Sequence, residues 1–115
     1  TDKILLKLAG ENYLNDEEFT RLFIKERTEL KSLGKRRIKA ELVFKGIDRE
    51  IIETAFDGYN TEDEFEKALV LAQKKLNSLN GLAKTTQKRR LSQFLLRRGF
   101  DFEMVLGLCR KLIND

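Results

Sequence analysis

Histidine is absent from the 115 residues, which removes the commonest general base and the commonest metal ligand. The one cysteine, Cys109, can form neither an internal disulfide nor a zinc site, and it fits a reducing cytosol. Val105, Leu108 and Leu112 stand beside it at helical spacing, which marks a buried structural thiol rather than a nucleophile. Proline is missing, no Gly-rich phosphate loop is present, and no apolar run approaches the roughly 18 residues of a membrane span. Carboxylates gather in the first turns of expected helices, away from apolar neighbours that would raise a pKa. The expectation is a cytoplasmic protein without catalysis, cofactor, metal or membrane partner. The chain opens on Thr rather than Met, with no secretory signal, so a fragment is expected.

What is present is charge and repetition. Charged residues make up 37%, against about 25% in an ordinary globular domain. Lys35-Arg36-Arg37-Ile38 through Gly46-Ile47-Asp48 returns 53 positions later as Lys88-Arg89-Arg90-Leu91 through Gly99-Phe100-Asp101. Upstream, Tyr13, Phe19, Arg21 and Ile24 match Tyr59, Phe65, Lys67 and Val70 at an offset of 46. The difference of seven places an insertion in one loop, and Asn77–Thr86 is the longest turn-like run. A period in this range signals stacked supersecondary units.

Each copy reads as three helices. The first begins after Asn15 or Asp16 and runs to about Lys31, with Phe19, Leu22, Phe23 and Leu30 on its apolar stripe. The second spans about Lys35 to Lys45 with Ile38 and Leu42 inward, and Gly46 stops it. Asp48 caps a short third helix bearing Ile51, Ile52, Ala55 and Phe56. In the second copy the helices are expected over Glu62 to Asn77, Gln87 to Arg98 and Phe102 to Ile113, with Gly99 and Asp101 repeating the stop and the cap. Tyr13 and Tyr59 precede their helices as hydrophobic staples. Nothing reads as a strand, so the fold class is all-α in tandem three-helix repeats. The expected division is residues 1–12 as the tail of a preceding repeat, 13–58 as one repeat and 59–115 as the next.

The string Tyr13-Leu14-Asn15-Asp16-Glu17-Glu18-Phe19, with Arg27, Gly34, Arg37-Ile38-Lys39-Ala40-Glu41-Leu42 and Lys45-Gly46-Ile47, resembles the central repeat of the RecX family. Arg90-Leu91, Phe94-Leu95 and Arg97-Arg98-Gly99-Phe100 resemble its last repeat. Most of the family's first repeat is missing. RecX proteins are bacterial regulators of the RecA recombinase, acting in DNA repair and the SOS response. The resemblance implies an elongated, curved arrangement of repeats lying in the groove of the RecA filament on single-stranded DNA. It also implies suppression of ATP hydrolysis and strand exchange, weak non-specific contact with single-stranded DNA, and a monomeric state.

Charge distribution is compatible with that role. Asp48 to Glu66 holds eight acidic residues against Arg49 alone, whereas Lys67 to Phe100 holds nine basic residues and no acidic one. The clusters Lys35, Arg36, Arg37 and Lys88, Arg89, Arg90 stand at expected helix starts, where cations oppose the dipole. Of these, Lys35, Arg36, Lys88 and Arg89 are expected, with Lys39, to form one extended basic band when the modules stack, and Arg37 and Arg90 to share in partner or DNA contact. Lys45, Arg97 and Arg98 fall in last turns, where cations are favourable anyway. Two other readings stay open. One is a helix-turn-helix or Myb-like DNA-binding module, although the third helices lack base-reading side chains and the second helices offer no Asn for adenine. The other is a helical-repeat scaffold for a different protein.

Overall fold

The computed structural model describes residues 13–113, with side chains from residue 15 onward. The expected tail of a preceding repeat, residues 1–12, lies outside the described residues. Six helices follow one another: α1 Tyr13–Glu29, α2 Lys35–Phe44, α3 Arg49–Ala55, α4 Thr61–Ser78, α5 Lys84–Arg97 and α6 Phe102–Leu112. No strand occurs among the described residues. The molecule measures 56 × 26 × 19 Å, and its radius of gyration of 16.8 Å exceeds the roughly 13 Å of a compact chain of this length. It is all-α, elongated, and built of tandem three-helix repeats.

Two hydrophobic clusters follow the repetition. The first gathers Phe23, Ile24, Leu33, Ile38, Leu42, Ile47, Ile51, Ile52 and Phe56, with Phe19 at its margin. The second gathers Ala68, Ala72, Leu91, Leu95, Phe100, Val105, Leu108, Cys109 and Ile113, with Phe65 at its margin. Ile38 and Leu42 in one copy and Leu91 and Leu95 in the other are all 0% exposed, as the alignment requires. Gly46 and Gly99 close α2 and α5 at φ of 87° and 96°, a region open to glycine and strained for other residues.

Several local expectations give way to the packing. α1 starts at Tyr13, and its inward face is Thr20, Phe23 and Ile24, with Phe19 beside them. Leu22 is 60% exposed and Leu30 78%, so neither belongs to the stripe. Thr20 is buried without penalty because its hydroxyl donates to the Asp16 carbonyl at 2.7 Å, within its own helix. Leu30 lies past the end of α1, and Leu33 enters the core instead after a left-handed turn at Ser32. Tyr59 meets Phe56 edge-on at 5.1 Å and packs on the first core, so it does not staple α4. Asn60 is the residue that caps α4, its side chain accepting from the Glu62 and Asp63 amides at 2.8 and 3.2 Å. Asp48 caps α3 by accepting from the Glu50 amide at 2.9 Å, but Asp101 makes no such bond to α6.

The seven-residue insertion is helical rather than a loop. Relative to α1 and the offset of 46, α4 runs three residues further, and relative to α2 and the offset of 53, α5 starts four residues earlier. The connections 30–34 and 79–83 are equal in length.

A groove at the joint between the repeats

The joint is formed by main chain. α2 begins with Gly34 at its N-cap, which offers no side-chain oxygen, and its first turn contains no acidic residue. Its opening amides find partners in the other repeat. Gly34 N donates to Arg98 O at 2.7 Å, Lys35 N to Glu64 Oε2 at 2.7 Å, and Arg36 N to Gly99 O at 3.1 Å. The carbonyl end of α5 thus meets the amide end of α2, joining opposite poles of two helix dipoles. Glu64, buried on α4, adds a full negative charge at the same pole. This contact explains why Lys35, Arg36 and Arg37 are tolerated at a helix start, since they also stand beside the negative end of α5.

Side chains fasten the joint further. Arg37 Nη1 donates to Arg97 O at 3.2 Å, Arg98 Nη2 to Lys31 O at 2.5 Å, and Lys67 Nζ to Thr28 O at 3.0 Å. Tyr59 lies beside Thr28 and Glu64 here, and burial reinforced by the Glu64 charge pushes its phenol up to about 12.

One open groove, about 670 Å³, runs along α2 to the end of α5. Arg27, Arg36, Arg37, Ala40, Glu41, Phe44 and Lys45 line it from the first repeat, and Leu96, Arg97 and Gly99 from the second. Glu41 is engaged inside it, bonded to Arg27 Nε at 3.1 Å and Arg37 Nε at 3.2 Å. Arg27 also pairs with Glu26 and lies 4.0 Å over the Phe23 ring. Arg36 and Arg97 are exposed and make no ion pair among the described residues. Phe44 is 92% exposed, a large apolar ring held in water at the groove's edge.

The expected basic residues are therefore split. Arg36, Arg37, Lys45 and Arg97 share the groove. Lys35 and Lys39 turn to α3: Lys35 Nζ stands 5.3 Å over Phe56, and Lys39 Nζ bonds Glu53 at 3.1 Å. Arg98 is half-buried in the joint, with its guanidinium 5.6 Å over Phe94. Lys88, Arg89 and Arg90 do not line the groove. Because α5 starts at Lys84, they occupy its second turn rather than its first, and Arg89 stands about 12 Å along the helix from Arg97. The groove takes in only part of the expected set because the repeats meet start to end, whereas the alignment pairs start with start. Residue reading missed Arg27, Glu41, Phe44 and Leu96. A signal was available for Phe44, a bulky apolar residue on the polar side of a helix whose inward positions are Ile38 and Leu42.

The comparisons with known proteins agree with this architecture. Residues 15–55 match the family "RecX, second three-helix domain", and residues 62–106 match "RecX, third three-helix domain". The Regulatory protein RecX of Clostridium perfringens is 38% identical over 108 residues, covering 90% of this chain and 49% of that protein. The one from Listeria monocytogenes is 37% identical over 114 residues, covering 99% of this chain and 42% of the relative. The crystal structure of RecX from Lactobacillus salivarius superposes with a TM-score of 0.78 at 26% identity, over 96% of this chain and 71% of that one. The chain spans about half the length of the curated relatives it matches. With both three-helix domains matched in order, the chain belongs to the RecX family.

Proposed function

We propose that this chain is a bacterial cytosolic regulator that docks on the RecA filament on single-stranded DNA and inhibits ATP hydrolysis and strand exchange, acting as a monomer without catalysis of its own. The observation that supports this reading is the groove at the joint. It is built from both repeats, so its shape depends on their mutual orientation, as a surface that fits a helical filament requires. Its exposed Arg36, Arg97 and Phe44 are the combination of arginine and aromatic side chains enriched at protein interfaces.

Duplex sequence reading is less favoured. α3 turns Arg49, Glu50, Glu53 and Thr54 to solvent and α6 turns Phe102, Glu103, Leu106, Arg110 and Lys111, so neither helix exposes an Asn or Gln for adenine, and the α3 carboxylates would face the phosphates that wall the groove. The deciding measurement is the rate of ATP hydrolysis by RecA on single-stranded DNA with and without the purified chain. The reading expects a dose-dependent fall. An unchanged rate at saturating concentrations of a folded chain would overturn it.

A further inference from the structure

We infer that the groove at the joint takes a short acidic segment of a partner protein, one carrying an aromatic or aliphatic side chain among its carboxylates, and that nucleic acid is not its ligand. This deepens the filament reading and rests on it, by naming what kind of surface the groove grips.

Arg36 at the start of α2 and Arg97 at the end of α5 are exposed forks on opposite repeats, with no carboxylate partner among the described residues. A guanidinium presents two parallel donors to a carboxylate, which makes such a pair selective as well as attractive. The same groove carries an apolar strip of Ala40, Phe44 and Leu96, with Phe44 almost fully in water. An exposed ring beside unpaired arginines is incomplete without an occupant that supplies both a carboxylate and an apolar side chain.

Two features separate peptide from nucleic acid. The first is Glu41, whose carboxylate lines the same groove and holds Arg27 and Arg37. A phosphate strand running through would pass a fixed negative charge and two cations already engaged, whereas a peptide can place single carboxylates at Arg36 and Arg97 alone. The second is dimension. From Arg36 to Lys45 the wall of α2 is about 13 Å long, enough for about four extended residues. Grooves that track single strands use successive stacking rings over about four or more nucleotides, and Phe44 is the one aromatic residue lining this groove.

The test uses the whole chain, isotopically labelled, with a fluorescent peptide of sequence Asp-Asp-Phe-Asp-Glu, a version with Ala for Phe, and an oligothymidylate. The acidic peptide is expected to shift the amide signals of Ala40 to Lys45 and Leu96 to Gly99. Affinity should fall about tenfold or more in R36E/R97E, and also in F44A or with the Ala peptide. Both variants alter exposed side chains, and unchanged helicity verifies that they fold. The oligothymidylate should not displace the peptide. Displacement by the oligonucleotide, shifts mapping outside these two segments, or no binding at millimolar peptide would each overturn the inference. RecA inhibition measured on the same variants separates the two ideas. If F44A loses the peptide but still inhibits RecA, the groove's ligand stands and its role on the filament fails. If it loses inhibition while the peptide never bound, the filament reading stands and the ligand was misassigned.

Discussion

The main-chain nitrogen of Gly34 donates to the carbonyl oxygen of Arg98 over 2.7 Å, so a helix start in one repeat is closed by a helix end in the other. A methyl group at Gly34 would land on the carbonyl group of Gly99, and one at Gly99 would land on the Cβ of Arg37. Backbone rather than apolar packing therefore sets the contact distance.

Substituting these glycines should grade accordingly. Gly99→Ala combines a left-handed φ with a main-chain collision and should destabilise by more than about 2 kcal/mol. Gly46→Ala shares the left-handed φ but meets nothing, and should cost about 1 kcal/mol. Urea denaturation followed by circular dichroism ranks them, and equal losses would mean that the close approach is not binding.

Glu64 should behave as a helix cap supplied across the joint. Glu64→Ala should lower stability by about 1–3 kcal/mol, because it leaves the Lys35 amide unpaired at a part-buried site. Glu64→Gln retains an acceptor oxygen and should lose less. Hydrogen exchange at the Lys35 amide reports the bond directly, and unaltered protection in the alanine variant would refute the cap.

Tyr59 should make stability fall in alkali. Burial holds its phenol up at about 12, above the 10.0 of a free tyrosine, so the unfolded chain deprotonates first as pH rises. The contribution is complete below pH 10 and is lost between about 10 and 12. Denaturation across that window should show a steeper decline in the wild type than in Tyr59→Phe. Parallel declines would exclude the assignment.

Leu42→Ala and Leu95→Ala should each cost about 2–5 kcal/mol, both sites being fully buried. The two residues belong to separate clusters, so the double variant should be additive within about 0.5 kcal/mol. A larger coupling in the double-mutant cycle would show that the cores act as one.

Arg36→Glu with Arg97→Glu should abolish most inhibition of RecA while stability moves by no more than about 0.5 kcal/mol. Arg36→Glu with Arg89→Glu reverses as much charge but touches the groove only once, and should inhibit better. Equal loss in both pairs would point to overall charge rather than the groove.

The repeat was legible because its signals are local. Ile38 with Leu42 and Leu91 with Leu95 stand one turn apart, and Gly46 and Gly99 end the helices that carry them. The joint was not legible, because self-alignment pairs Lys35 with Lys88 whereas the structure sets Gly34 to Arg36 against Arg98 and Gly99. Leu22 and Leu30 misled for a related reason. Their spacing suits a helical stripe, but Thr20 bonds its own backbone and takes an inward place no periodicity would assign to a polar residue.

The division of the seven-residue insertion into three and four residues has a geometric consequence. Each share is close to the 3.6 residues of one turn, so α4 and α5 both lengthen by about 5 Å while their inward faces keep their angular position. The tip at 79–83 is carried outward without being swung round the helix axes. A hairpin of this kind changes reach in steps of about one turn, and seven residues added to one arm alone would leave it about 10 Å longer than the other.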